Sequence, residues 1–226
     1  MKHLNLRNTL IALALTGAAA TSFAATTSTL DLTVGGTISP APCTLDFGAG
    51  NTVDFGTTKA SALSKTAYYD LGTKTTSANI TCSAAIKVAF KTIDNRAATV
   101  INDSTMATLI SGTDAFQLFG LGTAGSANIG AYAIRFTDAA TFDGKKTGNN
   151  MYTSGTATGS STWIATPGFI SPSGYSYSAG TGTTPAAGKV MSYPLSIRAA
   201  LNKSTALNLV NDINLDGSAT FEMVYL

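Results

Sequence analysis

Apolar residues in this chain recur at every second position, in short runs closed by Gly, Asn, Asp or Pro. That period fits a pleated strand with one buried face, and it leaves little room for amphipathic helices, whose apolar period is about 3.6. Strands are predicted near Leu30–Val34, Thr37–Pro42, Thr52–Phe55, Ser77–Cys82, Ile86–Thr92, Phe116–Leu121, Ala131–Thr137, Tyr193–Leu201 and Ala219–Leu226. Many short strands separated by turn signals describe an all-β sandwich or barrel.

The chain opens with Lys2, His3 and Arg7, followed by an apolar run from Leu10 to Ala20 and the small-residue site Ser22-Phe23-Ala24. This is the pattern of an export signal, too short to span a bilayer, and residues 1–24 are expected to be removed. The remaining 202 residues carry 12 basic and 12 acidic side chains. A formally neutral chain offers no basic field for nucleic acid. The only histidine, His3, leaves with the signal. Ser-His and Cys-His nucleophile pairs and histidine metal ligands leave with it. No catalytic residue, metal set or cofactor is therefore expected. Asp212 to Gly217 matches the first half of a calcium loop, but position twelve is Met223, and the same residues suit a turn into the last strand.

Two cysteines remain, Cys43 and Cys82. In an exported protein such a pair reads as a disulfide. Between Asp143 and Lys189 the chain is rich in Gly, Ser, Thr and Asn yet carries Trp163, Tyr175 and Tyr177. One reading is a long hairpin insertion whose aromatics pack onto the sandwich. The other is a receptor-binding loop that presents Trp163, Tyr175 and Tyr177.

Both ends of the exported chain are patterned. Ala219, Phe221, Met223 and Tyr225 fall on one face of the last strand, and Thr220, Glu222 and Val224 on the other. Near the beginning, Leu30, Leu32 and Val34 alternate with Asp31 and Thr33 before Gly35-Gly36. Residues 25–35 thus read as an arm, and residues 36–226 as one domain with an insertion near 143–189. An arm with an apolar stripe and no return hairpin pairs either within its domain or with another molecule.

Four segments resemble type 1-like subunits of chaperone–usher fimbriae. They are Gly36-Thr37-Ile38 ahead of Cys43, Ile80-Thr81-Cys82 with Val88-Ala89-Phe90, Asn128-Ile129-Gly130 through Ile134, and Phe221 with the penultimate Tyr225. The family commonly ends in Gln, where this chain ends in Leu226. The resemblance implies an incomplete immunoglobulin-like β-sandwich completed by a donor strand from another chain. It implies that Leu30, Leu32 and Val34 are donated, and that Ala219, Phe221, Met223 and Tyr225 form the strand beside the open groove. The implied partners are a periplasmic chaperone, an outer-membrane usher and neighbouring subunits, on a path to the fimbrium at a Gram-negative cell surface. The alternatives are a tip adhesin that binds a glycan or protein, and a self-contained periplasmic or secreted sandwich.

Overall fold

A computed structural model describes residues 29–39, 41–110, 115–172 and 174–226. The signal segment and the first residues of the arm lie outside the described residues. Thr29 to Ser39 has no regular secondary structure, and the compact unit is Pro40–Leu226. The arm therefore extends past residue 35. The first strand starts at Cys43 rather than Thr37, because Pro40 and Pro42 have no N–H to give a ladder.

Eight main strands build the domain: β1 (Cys43–Phe47), β2 (Tyr69–Ile86), β3 (Val88–Asp94), β4 (Gly130–Phe136), β5 (Asn149–Ser154), β6 (Tyr175–Thr181), β7 (Gly188–Leu201) and β8 (Ala219–Tyr225). One sheet runs β1-β2-β7-β4, and Phe169–Ile170 pairs along the far side of β4. The second runs β5-β6-β3-β8, with Ile164–Ala165 outside β5. Each of these pairings is antiparallel, and the fold is an all-β sandwich.

Period-two alternation sends Ile80, Tyr193, Leu195, Ile134 and Phe136 inward from the first sheet, and Val88, Phe90 and Tyr177 inward from the second. Phe90 sits at the centre. Its ring lies 5.2 Å from Tyr193, 5.5 Å from Phe221, 5.7 Å from Tyr177 and 6.2 Å from Phe136. Edge-to-face and offset contacts at these distances suit aromatic quadrupoles.

Each sheet also has a covered outer face. Helix α1 (Ser104–Ile110) lays Met106, Ala107 and Ile110 against Leu118, Ala131, Ala133 and Ala200. The alanines let the helix approach closely. On the other side Trp163, Met151 and Ala157 close over Ala89, joined by Val224 and Leu226.

The 143–189 segment is not appended to the sandwich. It supplies β5 and β6, and β6 pairs directly with β3 through Ser176 opposite Lys91 and Tyr177 opposite Phe90. Tyr177 and Ala179 point into the core, while Ser176 and Ser178 hold outer loops and neighbours by hydrogen bonds.

The disulfide joins Cys43 to Cys82, which face each other across β1 and β2. It closes a loop of sequence separation 39. Cross-linking that length of unfolded chain contributes about 4 kcal/mol. The Cys43→Ser/Cys82→Ser variant is expected to lose about that much in equilibrium urea unfolding. A loss below about 1 kcal/mol would mean that the ladder alone fixes β1.

Candidate functional site

Strand β8 is an edge. Among the described residues it has one ladder partner, β3, matched residue by residue from Ala219–Asp94 to Tyr225–Val88. Ala219, Phe221 and Met223 pack, half-buried, against the core. Glu222 faces outward and pairs with Lys91 at 3.2 Å. Val224 and Leu226 enter the cluster around Trp163, and the Leu226 N–H donates to the Lys87 carbonyl at 3.2 Å.

Strand β1 is likewise an edge, paired with β2 alone among the described residues. The edges of β1 and β8 approach each other through side chains. The rings of Phe47 and Phe221 meet edge to face at 5.0 Å. The Cys43 N–H donates to Tyr225 Oη at 3.3 Å. These contacts mark one end of an open seam between the sheets.

From that end a groove runs on. Two adjoining cavities of about 320 and 610 Å³ share Thr52, Val53, Phe55 and Leu215. One wall is the segment from Phe47 to Leu63, and the other is the segment from Leu207 to Phe221. The floor is the inner face of the first sheet, where Leu71, Ile134, Leu195, Ile197 and Leu201 are exposed to the groove. Val53 and Phe55 alternate as a strand would, but their segment is not part of either sheet. The expected strand at Thr52–Phe55 is thus an extended wall held by side-chain packing.

Polar groups in the groove are few. Thr76 Oγ1 is buried at its side without a hydrogen-bond partner. Such a group costs free energy until something pairs with it. Burial, reinforced by the Asp94 carboxylate, pushes the Tyr132 phenol well above its ordinary range, so it stays neutral. The turn into β8 is pinned by Arg96, whose Nε and Nη2 donate to Asp216 at 2.7 and 2.9 Å. That fork holds the Asp216 carboxyl below the usual carboxylate range. Gly217 then passes over the floor so closely that a Cβ there would stand 3.0 Å from Leu121 Cδ2 and Tyr132 Cε1. The Asp212–Gly217 motif therefore builds the groove wall and the turn. Among the described residues no group of three or more His, Cys, Asp and Glu is placed to hold a metal ion.

The arm is considered by itself. Leu30, Leu32, Val34 and Ile38 are 94, 89, 88 and 102% exposed. They share one period-two phase, with Gly36 at the fourth of five positions. Ile38, expected in a first core strand from Thr37, belongs instead to this stripe.

Two of the three expected receptor contacts are corrected. Trp163 is 3% exposed and Tyr177 fully buried. Trp163 caps the outer face of the second sheet, and the Tyr177 hydroxyl accepts the Ser171 N–H at 2.7 Å inside the core. Neither is available to a receptor. Tyr175 is half-buried, its ring 5.3 Å from Tyr152 and 5.9 Å from Phe169.

Protein GltF of Escherichia coli (strain K12) is 31% identical over 249 residues, covering 98% of this chain and 98% of that protein. The chain belongs to the GltF family. Residues 32–133 also match a family described as protein of unknown function (DUF1120). That match begins inside the arm at Leu32 and ends within β4, so it takes in the arm's stripe, the disulfide, β2 and β3.

Proposed function

We propose that this GltF-family protein is a structural subunit of a chaperone–usher fimbrium, polymerised by donor-strand exchange and supporting adhesion. The observation that carries the reading is the coexistence of an apolar groove beside the free edge of β8 and an exposed arm with a matching period-two stripe. An open strand edge invites strand addition, because its N–H and C=O groups have no partner. A strand laid between the walls would pair with β8 and set alternate side chains on the floor, and its backbone would supply a partner for Thr76 Oγ1. Full burial of a Leu or Val gains about 1.5–3 kcal/mol, so Leu30, Leu32 and Val34 together contribute roughly 5–9 kcal/mol before ordering costs.

In this reading the sandwich is immunoglobulin-like and lacks one strand of its own. A periplasmic chaperone fills the groove first, an outer-membrane usher receives the complex, and the arm of a neighbouring subunit replaces the chaperone. The protein acts without catalysis and without a cofactor. Export through the periplasm follows from the same reading.

The test is deletion of residues 29–39 followed by sedimentation of the purified protein. The shortened protein is expected to remain folded and fail to join assemblies, while still accepting the arm of an intact subunit. Assemblies formed as well without the arm would refute the reading.

A further inference from the structure

Donor-strand exchange leaves open whose groove the arm fills, and the answer lies in the four residues between stripe and sandwich. Resting on the reading above, we infer that Ser39-Pro40-Ala41-Pro42 bars the arm from the groove of its own molecule and commits it to a second copy of the chain.

The chain enters the sandwich at the seam. The Cys43 N–H is bonded to Tyr225 Oη at the end of β8, and the Pro42 carbonyl already accepts the Ser83 N–H at 3.0 Å. The path along β2 is therefore fixed from Pro42 onward. To lie beside β8 of the same molecule, the arm must reverse direction between Ile38 and Pro42. That is the span of a tight turn, with Pro40 and Ala41 as its two central residues.

Neither common turn is open to this sequence. A type I turn accepts Pro at its second position but needs the third residue near the α region. Ala41 precedes Pro42, whose ring drives the preceding residue to extended conformations. A type II turn needs positive φ at the third position, which Gly tolerates and Ala does not. Both prolines have φ fixed near −65° by their rings, and both residues before them are biased to extended backbone. A Pro-x-Pro spacer is a stiff, extended connector. It favours continuing the stripe away from β1 over a hairpin return.

The experiment compares the purified protein with the Ala41→Gly/Pro42→Ala variant, in which a glycine directly after Pro40 suits a type II turn. Two readouts are taken: sedimentation for assembly, and binding of a synthetic peptide of residues 29–39 to dissociated monomer. The variant is expected to stay monomeric, with assemblies and peptide binding both reduced at least tenfold. Adding Leu32→Asp to the variant cripples its own arm and should restore peptide binding. Peptide binding by the Ala41→Gly/Pro42→Ala variant equal to that of the unaltered protein would overturn the inference and leave donor-strand exchange standing. Binding that Leu32→Asp fails to restore would overturn it as well, because the loss would not be due to the arm. If the unaltered monomer takes up no peptide, donor-strand exchange itself fails, and the inference with it.

Discussion

Leu32→Asp is expected to abolish self-assembly while leaving the melting temperature of the sandwich unchanged. Leu32 stands in the middle of the exposed stripe, 89% accessible, and the compact unit begins eight residues later at Pro40. The substitution should therefore cost the folded domain nothing. In a neighbour's groove it forfeits about 1.5–3 kcal/mol of apolar burial. It also asks an apolar floor to desolvate a carboxylate, a cost of several kcal/mol in proteins. The sum weakens strand capture at least a thousandfold, at about 1.4 kcal/mol per factor of ten. Sedimentation should show monomer where the unaltered chain gives a ladder of assemblies. Assemblies of normal size and yield would remove the arm from the account.

Trp163→Ala is the second large effect, expected on stability. The indole is 3% exposed and seals Met151, Ala157, Ala89, Val224 and Leu226 under the loop that follows β5. That loop is tied down by Ser176, whose Oγ donates to the Gly155 carbonyl at 2.8 Å and accepts the Ala157 N–H at 3.0 Å. Truncating a buried tryptophan costs about 3–5 kcal/mol, through lost burial and the cavity left behind. The loss should be local as well as global. Strand β8 has one ladder partner among the described residues, and this cluster holds its outer face. Amide exchange at Val224 and Tyr225 should quicken more than at Leu195 and Ile197 in the middle of the first sheet. A loss below about 1 kcal/mol, or uniform exchange, would show that the loop is an ornament on a self-sufficient strand.

How far the sequence reveals this architecture differs from strand to strand. Alternation exposes β8, β4 and the inner half of β7, because each buries one face and shows the other to a polar layer. The pairing of Cys43 with Cys82 follows from export and a count of two. Strand β2 is legible only near Ser77–Cys82. Its first half is Asp70-Leu71-Gly72-Thr73-Lys74-Thr75-Thr76, polar and half-exposed along the groove, so no periodic signal marks it. Strand β6 is hidden by its setting. Tyr175-Ser176-Tyr177-Ser178-Ala179 does alternate, yet it sits in a stretch so rich in Gly, Ser and Thr that it reads as a loop.

Trp163 has no place that the sequence alone reveals. It lies in an irregular loop, where no period says which way a side chain points, and its partners Val224 and Leu226 lie about sixty residues away. The groove is legible only as the complement of the last strand. Its second wall, from Phe47 to Leu63, alternates briefly at Val53 and Phe55 but makes no ladder, and its floor is shared by three strands distant in sequence. Ile38 reads as part of the domain because Gly35-Gly36 looks like a boundary. The phase of the stripe runs through that boundary, and the prolines after it mark the true one.

Thermal unfolding of the monomeric Leu32→Asp protein, with and without a synthetic peptide of residues 29–39, tests the central claim most directly. The disulfide stays intact, and the groove has no competing arm. Peptide at a hundred times its dissociation constant stabilises the native state by about 2.7 kcal/mol. For a domain of this size that raises the melting temperature by roughly 5–10 °C. A rise of that order, absent when the peptide carries Asp at position 32, is the result that donor-strand completion predicts. An unchanged melting temperature at saturating peptide would mean that the sandwich is already complete, and the protein would then be a self-contained β-sandwich with no strand to receive.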